Sequence, residues 1–151
     1  MPTKPDMQFR RLRKKGSRDF TLACKIIDSA WIGHVGFILE QQPYVVPMAV
    51  ARDGAQLLLH GSVASRLMTS LAAGLTCCVT VTHLDGLVLA RSAFNSSMNY
   101  RSLMVFGNAM AIVDPTAKVR GLDILTEHLA PGRLAEVRSA TRKELNATTL
   151  L

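Results

Sequence analysis

The sequence predicts a mainly β fold, a small antiparallel barrel of about six strands with helices at its periphery. Two observations predict this class. Short runs rich in β-branched and aromatic residues alternate with turn dipeptides such as Asp53-Gly54. Helical periodicity is confined to a few segments between and after these runs. The sequence contains no internal repeat and no low-complexity tract, so we expect a single folded domain.

The composition is typical of a globular chain. Its 151 residues are 48% hydrophobic and 19% charged, enough to bury a core without disulfides. The apolar runs are too short to span a bilayer and the start lacks a secretory leader, so we expect no membrane partner. Three cysteines, Cys24, Cys77 and Cys78, give neither a disulfide framework nor a zinc-binding spacing. This favours a reducing cytoplasm and no bound metal.

Much of the net charge of +7 lies in residues 1–17, which we interpret as a basic N-terminal arm. Seven cations crowd the first eighteen residues, against Asp6 alone: Lys4, Arg10, Arg11, Arg13, Lys14, Lys15 and Arg18. Such an arm could contact a polyanion. Because Phe9 is the arm's only aromatic residue, we expect a solvated tail and no nucleic-acid partner.

The first helix and the first two strands follow this arm. Ser17, Arg18 and Asp19 open a helix, and apolar residues at about helical spacing predict its buried face: Phe20, Cys24, Ile27 and Trp31. Residues 32–39 and 44–52 are predicted strands because they are rich in β-branched and aromatic residues. Pro47 interrupts the second strand and therefore predicts an edge position or a bulge.

The stretch 56–74 reads as strand, tight turn and helix. Leu57, Leu58 and Leu59 form a short strand that ends at His60, Gly61 and Ser62. Ser62 is the predicted helix N-cap and Gly74 the glycine that follows the helix. Arg66 then lies in the first turn, where the helix dipole opposes a cation. An anion between the guanidinium and the free N–H groups would remove this conflict, which predicts a phosphate site; the alternative is an ordinary surface arginine.

The next segments predict a strand, a turn, a long loop and a second long strand. Residues 76–82 alternate, with Cys77, Val79 and Val81 on one face and hydroxyl groups on the other. Asp85-Gly86 is predicted to turn the chain into a short strand at 87–90, and residues 91–99 are predicted to form a loop. Residues 100–113 are apolar on both faces, which predicts a barrel wall that also contacts a partner subunit. Gly107 within them predicts a bulge or a close backbone approach.

The C-terminal part predicts two helices and a last strand. Asp114 as N-cap and Pro115 at the first position start a helix that Pro131 and Gly132 end. Thr141 and Glu144 form a predicted capping box for a short helix. Residues 148–151 have the pattern of a strand whose continuation is missing.

Several motifs then identify a resemblance that covers nearly the whole chain after Ser17. They are HGSVASR at 60–66, CVTVTHLDGLVLARSAF at 78–94, SMNYRSLMVFG at 97–107, GHVGF at 33–37, PYVVPM at 43–48 and PGR at 131–133. Together and in this order they resemble the pyridoxamine 5′-phosphate oxidase-like split β-barrel superfamily. More narrowly, they resemble its flavin-binding branch that includes the 5-nitroimidazole-resistance-type proteins.

The resemblance implies a split β-barrel with Greek-key-like strands over residues 18–151, which forms a homodimer and binds FMN in clefts at the subunit interface. It implies that His60, Gly61 and Ser62 line the flavin edge, while Ser65 and Arg66 hold the phosphate. Further polar contacts to the ring system or phosphate would come from four residues: Thr80, Tyr100, Arg101 and Ser102. For Thr80, Tyr100 and Arg101 the residues alone leave other readings open. A threonine is a good strand former, a tyrosine can be a core residue, and an arginine can pair with a surface carboxylate.

Two departures from the family pattern bear on function. Asn95 and Ser96 stand where relatives carry loop histidines, so any proton-donating or substrate-binding role of an imidazole there is missing. Relatives also continue past the equivalent of Leu151 with another strand and a basic tail. We therefore expect this chain to lack the closing strand, which would expose a sheet edge and weaken the dimer or the flavin cleft.

The resemblance implies an FMN-dependent oxidoreductase that acts on a small molecule, with the flavin carrying the chemistry. The sequence contains no plausible Ser/His/Asp or Cys/His catalytic set and names no catalytic residue, substrate or electron donor. One alternative is a non-catalytic flavin-binding or flavin-storage module, which the absent loop histidines favour. Another is a split barrel that binds heme or a deazaflavin in the same cleft, with His60 as a candidate heme ligand.

Overall fold

The computed structural model describes residues 8–151, and residues 1–7 of the basic arm lie outside the described residues. Within residues 8–151, six strands and four α-helices follow one another. The strands are β1 (Ile32–Leu39), β2 (Gln42–Asp53), β3 (Gln56–Ser62), β4 (Thr76–Val88), β5 (Ser97–Asn108) and β6 (Thr148–Leu150). The helices are α1 (Phe20–Asp28), α2 (Arg66–Ala72), α3 (Pro115–Leu129) and α4 (Arg142–Ala147). Short 3-10 turns lie at Arg13–Lys15, Ala93–Asn95 and Arg133–Glu136.

All six strands belong to one antiparallel sheet in the order β5-β4-β1-β2-β3-β6. β2 changes partner along its length: residues 42–49 pair with β1 and residues 50–53 pair with β3. Pro47 lies in the half that pairs with β1 alone, so the predicted edge position is confirmed locally. The sheet is open and helices flank it, which confirms the mainly β, split-barrel prediction.

Helices cover two separate parts of the apolar core. Leu67, Met68 and Leu71 of α2 are buried among residues of β1 and β2 such as Val35 and Val50. On the other side of β2 and β3, α3 packs over a smaller cluster: Ala51, Leu58, Leu125 and Leu150. The predicted start of α3, with Asp114 as N-cap and Pro115 at the first position, is confirmed, and so is the Thr141–Glu144 capping box of α4.

The predicted buried face of α1 is wrong at both of its ends. Ile27 is buried, as predicted, and so is Ile26, which is not on the predicted face. The helix ends at Asp28, so Trp31 lies beyond it and is 68% exposed. Phe20 lies on the same side of the helix as Ile27, but it is the first helical residue and its side chain is exposed. Helical spacing thus predicted the direction of the face and overestimated its length.

The predicted turn at Asp85 and Gly86 is also wrong, because β4 runs without interruption from Thr76 to Val88. The register shifts between Leu84 and Gly86, which leaves Asp85 as the extra residue of a β-bulge. The glycine and aspartate that suggested a chain reversal serve instead to bend a long strand.

β5 differs from its prediction in bounds and in burial. It starts at Ser97, inside the predicted loop, and ends at Asn108. Gly107 pairs in register with Cys77 and a Cβ there would meet nothing, so the predicted bulge or close approach is wrong. In the described chain β5 is mostly exposed rather than buried on both faces.

β6 extends the sheet beside the end of β3. It pairs His60 with Leu150, Gly61 with Thr149 and Ser62 with Thr148. Leu151 is buried and exchanges two backbone hydrogen bonds with Leu59, at 2.9 and 3.0 Å. The predicted C-terminal strand therefore exists and lies against the segment where the phosphate site was predicted.

Within residues 8–151, no helix is long and apolar enough to cross a membrane. The three cysteines are free thiols, and burial raises the pKa of Cys77. No group of three or more His, Cys, Asp or Glu side chains in the described part of the chain could hold a metal ion.

Candidate functional site

The junction between β3 and α2 carries five of the predicted site residues. β3 continues through His60, Gly61 and Ser62, so the strand extends three residues further at its C-terminal end than predicted. The helix N-cap is Ser65 and not Ser62, because pairing with β6 keeps Ser62 in the strand. The Ser65 backbone N–H donates to the Ser62 carbonyl at 2.9 Å, which closes the tight turn between them. Gly74 follows the helix with φ +91°, as predicted.

Both serine hydroxyls stabilise this turn by accepting hydrogen bonds. Ser62 Oγ accepts from the Ala64 N–H at 3.2 Å, and Ser65 Oγ accepts from the Met68 N–H at 3.5 Å. A serine hydroxyl has its own proton besides its acceptor sites. Each Oγ can therefore donate that proton to a ligand while it still caps the backbone. Ser62 is exposed and Ser65 is half-buried.

Arg66 is the first residue of α2, and its guanidinium lies over an aromatic ring. Its Cζ is 4.6 Å from the centroid of Tyr44 on β2. The Tyr44 ring in turn stacks on Phe37 of β1, with centroids 5.3 Å apart and an interplanar angle of 17°. Within residues 8–151, Arg66 forms no ion pair. An exposed cation held by rings keeps its full charge for an anion.

The imidazole of His60 has an unsatisfied ring nitrogen. Its Nδ1 is the one buried side-chain N or O atom that lacks a hydrogen-bond partner among the described residues. Leaving a buried polar atom unpaired costs about 1–3 kcal/mol, and such atoms in native proteins call for an explanation such as a bound molecule.

Gly61 has a packing role beside this histidine. A Cβ there would lie 2.8 Å from Cγ of Met68, which is fully buried. The glycine therefore lets α2 approach β3. The resemblance implies that Gly61 lines the flavin edge, and the structure adds this structural reason for the residue.

α4 and β6 hold the turn from behind. The Val63 N–H donates to the carbonyl of Ala147, the last residue of α4. The start of α4 is fixed by Glu144, which accepts from Arg138 at 2.7 and 2.9 Å and from the Thr141 N–H at 2.7 Å. These donors, Arg138 foremost, hold the pKa of Glu144 far below its ordinary value. An ion-paired cap thus positions the strand that pairs with His60 and Ser62.

The other predicted site residues lie apart from this junction. Thr80 is on β4, and Tyr100, Arg101 and Ser102 are on β5; β1 and β2 separate β4 from β3 in the sheet. Arg101 lies on the opposite face of β5 from Tyr100 and Ser102. It donates to Asp85 at 2.9 to 3.2 Å, and this holds the pKa of Asp85 below its ordinary value. Arg101 therefore follows the surface ion-pair reading.

Thr80, Tyr100 and Ser102 share one side of the sheet, which we call the outer sheet face. Its members follow from the strand alternation and the register of β2, β1, β4 and β5. On β2 and β1 they are Pro43, Val45, Pro47 and Ala49, and Ile32, His34, Gly36 and Ile38. On β4 and β5 they are Thr76, Cys78, Thr80, Thr82 and Leu84, and Tyr100, Ser102, Met104, Phe106 and Asn108. None of these positions is Asp, Glu, Lys or Arg, although the chain has 29 such residues, 18 basic and 11 acidic. Charge is depleted in this way at the cores of protein interfaces.

The loop that lacks the family's histidines is short and exposed. β4 ends at Val88 and β5 begins at Ser97, and the 3-10 turn Ala93–Asn95 lies between them. Ser96 Oγ accepts from the Ala90 N–H at 3.3 Å and donates to the Ser92 carbonyl at 3.4 Å. Ser96 therefore shapes the loop. Asn95, like the rest of residues 89–96, is exposed.

Two partners of the predicted site residues were missed from the sequence. Tyr44 contacts Arg66 across elements that are distant in sequence, and only the register of the β1–β2 hairpin reveals that it faces Phe37 and the core side. Asp85 was interpreted as a turn residue, and its partner Arg101 is 16 residues away on β5. A two-residue loop between two runs of alternating residues could have given the Tyr44 register.

The sequence profile of the pyridoxamine 5′-phosphate oxidase family matches residues 21–151. A search of curated proteins found no match. Among solved structures, the chain is similar to the FAD and heme binding protein from Mycobacterium smegmatis, with 40% identity and a TM-score of 0.85 over 89% of this chain. It is also similar to the flavocytochrome Anf3 from Azotobacter vinelandii, with 35% identity and a TM-score of 0.87 over 94% of this chain.

A third similar structure is a candidate 5-nitroimidazole antibiotic resistance protein from Bacteroides thetaiotaomicron. It shares 26% identity and a TM-score of 0.73, over 89% of this chain and 78% of that one. The chain spans just under two thirds of the first two relatives, 65% of the Mycobacterium protein and 66% of the Azotobacter protein.

Proposed function

Because the chain belongs to the pyridoxamine 5′-phosphate oxidase family, we propose that it binds a flavin, FMN in the first place, and uses it as an oxidoreductase for a small molecule. The observation that carries this proposal is the junction of β3 and α2. There Arg66, whose guanidinium lies over the Tyr44 ring, follows directly on the turn that carries the hydroxyls of Ser62 and Ser65.

The residues at this junction fit a flavin phosphate. Phosphate oxygens accept hydrogen bonds and carry negative charge, and a guanidinium donates to them in a bidentate manner. Ser62 and Ser65 each have a hydroxyl proton to donate, and Arg66 has no carboxylate partner among residues 8–151. Arg66 and the two serines would therefore hold the phosphate.

His60 supports a ligand beside the same turn. Its Nδ1 is buried and unpaired, so the ring has an unmet hydrogen-bonding need close to the predicted flavin edge. A bound flavin would supply the redox chemistry, because it can accept a hydride and pass the electrons on. The part of this chain is to bind and orient the flavin.

We propose further that the working form is a homodimer with the flavin at the subunit interface. Thr80, Tyr100 and Ser102 lie on the outer sheet face, away from the Arg66 junction of the same chain. One flavin could touch both groups if a second copy supplied one of them.

The outer sheet face also has the size that a dimer needs. Seven of its large apolar side chains are between 37% and 67% exposed: Ile32, Ile38, Val45, Leu84, Tyr100, Met104 and Phe106. A full aromatic side chain offers about 150–250 Å² and an aliphatic one somewhat less, so at these exposures the seven expose on the order of 700 Å² together. A stable interface buries about 800 Å² per partner, whereas single apolar patches on monomers reach only about 300–600 Å².

A second candidate function is the binding of heme together with a flavin such as FAD. Two similar proteins favour it. The one that shares 40% identity is an FAD and heme binding protein, and the one that shares 35% identity is a flavocytochrome. Of the four histidines, His83 and His128 already use Nε2 in hydrogen bonds to backbone carbonyls. His34 and His60 therefore remain as candidate iron ligands.

The absorption spectrum of the purified protein tests these proposals. It is recorded before and after addition of excess FMN, FAD or hemin and removal of unbound ligand by gel filtration. We expect a flavin spectrum at about one flavin per chain, eluting at the size of a dimer. A Soret band would favour the second candidate, and a colourless protein that retains none of the ligands would refute both.

Turnover then separates an enzyme from a non-catalytic carrier. The flavin-loaded protein is reduced anaerobically with NADH or NADPH and mixed with small electrophilic acceptors. We expect at least one acceptor to reoxidise the flavin faster than oxygen does. If none does, the storage-module alternative replaces the oxidoreductase proposal.

A further inference from the structure

We propose that Tyr44 is a positioning residue that gives the site its preference for a phosphorylated flavin over an unphosphorylated one. This inference rests on the proposed function, since it concerns the same cleft. The observation is the stack of Phe37, Tyr44 and Arg66, with 5.3 Å between the two ring centroids and 4.6 Å from the Tyr44 centroid to Arg66 Cζ.

Arg66 contacts an aromatic ring, whereas five other arginines of the chain are paired with carboxylates. The five pair at 2.6 to 2.9 Å: Arg52, Arg101, Arg120, Arg133 and Arg138. A carboxylate fixes a guanidinium but also neutralises it and occupies its N–H donors. An aromatic face attracts the cation through its quadrupole and uses no N–H donor. Arg66 is thus restrained while its charge and donors stay available for an anion.

The restraint matters because of where Arg66 stands. As the first residue of α2 it meets the positive end of the helix dipole, which repels its own charge. A free arginine side chain would turn toward solvent and sample many rotamers. Contact with Tyr44 restrains the guanidinium at one position, so less conformational freedom is lost when a phosphate binds.

Tyr44 is itself held in place from behind. Phe37 is its cross-strand partner on β1, is buried and stacks on its ring. β2 therefore presents a half-buried ring at a fixed position, and the geometry of Arg66 is set by the β1–β2 hairpin. The hydroxyl of Tyr44 has no part in this contact, so a phenylalanine should serve as well.

The test compares dissociation constants for FMN and riboflavin in wild type, Tyr44→Phe and Tyr44→Leu, each with and without Arg66→Ala. Riboflavin lacks the phosphate, so the ratio of the two constants isolates the phosphate contact. We expect Tyr44→Phe to keep the wild-type ratio. Tyr44→Leu should lower the preference for FMN by roughly fivefold, with riboflavin affinity little changed. In the Arg66→Ala background the two Tyr44 variants should give the same ratio.

Near-ultraviolet circular dichroism checks that each variant is folded. If Tyr44→Leu is not, Tyr44→Thr replaces it, because threonine is also a good strand residue. An equal loss of affinity for FMN and riboflavin in the folded Tyr44 variant would overturn the inference. A change in the ratio of the two dissociation constants that persists in the Arg66→Ala background would overturn it too. A wild type that binds both flavins equally would overturn it while the flavin proposal stands. A wild type that binds neither would overturn the proposed function and the inference with it.

Discussion

At the scale of single residues, Arg66 is the side chain on which the proposed phosphate contact depends. Replacing it with alanine removes a charged hydrogen-bond donor worth about 1.5–3 kcal/mol. We therefore expect Arg66→Ala to weaken the binding of FMN by about 10- to 100-fold and the binding of riboflavin by much less. Titration of flavin fluorescence gives both constants.

Arg133→Ala is the matched control for Arg66→Ala. It also removes an exposed arginine, but one that pairs with Glu136 on another part of the surface. It should leave both affinities unchanged. Equal losses of affinity for FMN and for riboflavin in Arg66→Ala would rule out the phosphate assignment.

Gly61 allows a prediction about stability that is independent of any ligand. A methyl group there would overlap Met68, which has no room to move because it is fully buried. We expect Gly61→Ala to lower the free energy of unfolding by about 1–3 kcal/mol. At Gly107 a Cβ meets nothing, so Gly107→Ala should be neutral or slightly stabilising. Chemical denaturation of both variants measures this, and similar midpoints would contradict the packing role.

At the scale of elements, the capping box of α4 makes stability depend on pH. Donors from Arg138 and Thr141 hold the pKa of Glu144 below its ordinary value of 4.5. A carboxylate whose pKa is lower in the folded than in the unfolded chain stabilises the fold at pH values above its unfolded-state pKa. It loses this contribution as the pH falls from there toward its folded-state pKa. We expect wild type to lose more thermal stability than Glu144→Gln between about pH 5 and pH 3.

The control for this pH effect is Glu40→Gln, which removes a carboxyl group in the β1–β2 turn without touching α4. Its melting temperature should fall with pH as steeply as that of wild type. If Glu144→Gln shows the same slope, the cap does not contribute. Hydrogen exchange at Val63, whose N–H bonds to α4, would report the loosening locally.

The elements themselves were predicted well where local chemistry decides them. Asp114, Thr141 and Gly74 marked helix boundaries correctly, because capping is a contact within one turn. Ser62 misled because β6, which is 86 positions further along the chain, pairs with it and keeps it in a strand. Asp85 and Gly86 misled because turns and bulges use the same residue types, and only pairing with β5 separates them.

At the scale of the whole molecule, the outer sheet face leads to a test of association. Met104 is 54% exposed at the middle of this face, opposite Thr80. A carboxylate there would lose its contact with water in the proposed dimer. We expect Met104→Glu to weaken dimerisation by at least about 100-fold and to release a folded monomer. Analytical ultracentrifugation measures this.

Val137→Glu is the control for that experiment. It places the same charge on an exposed position after the Arg133–Glu136 turn, outside the outer sheet face. It should leave the association unchanged. A Met104→Glu protein that sediments like wild type would exclude this face as the interface.

A single sequence motif could bring together only part of the candidate site. His60, Gly61, Ser62, Ser65 and Arg66 are nearly consecutive, so one motif brought them together. Tyr44 could not be found in this way, because its contact with Arg66 depends on which side of β2 it faces. The same limit explains Arg101, which the family motif places next to Tyr100 but which strand alternation turns to the opposite face.

The alternation of side chains along β2 has a consequence for where the length of this chain can vary. Tyr44 and Val45 are neighbours in sequence, yet one lies under Arg66 and the other on the outer sheet face. Losing or gaining one residue between Gln42 and Pro47 would exchange the two sides. The hairpin tip, where Glu40 and Gln41 both have positive φ, is exposed and tolerates such changes better. Homologous chains should therefore differ in length at this tip and keep a constant spacing within the strand.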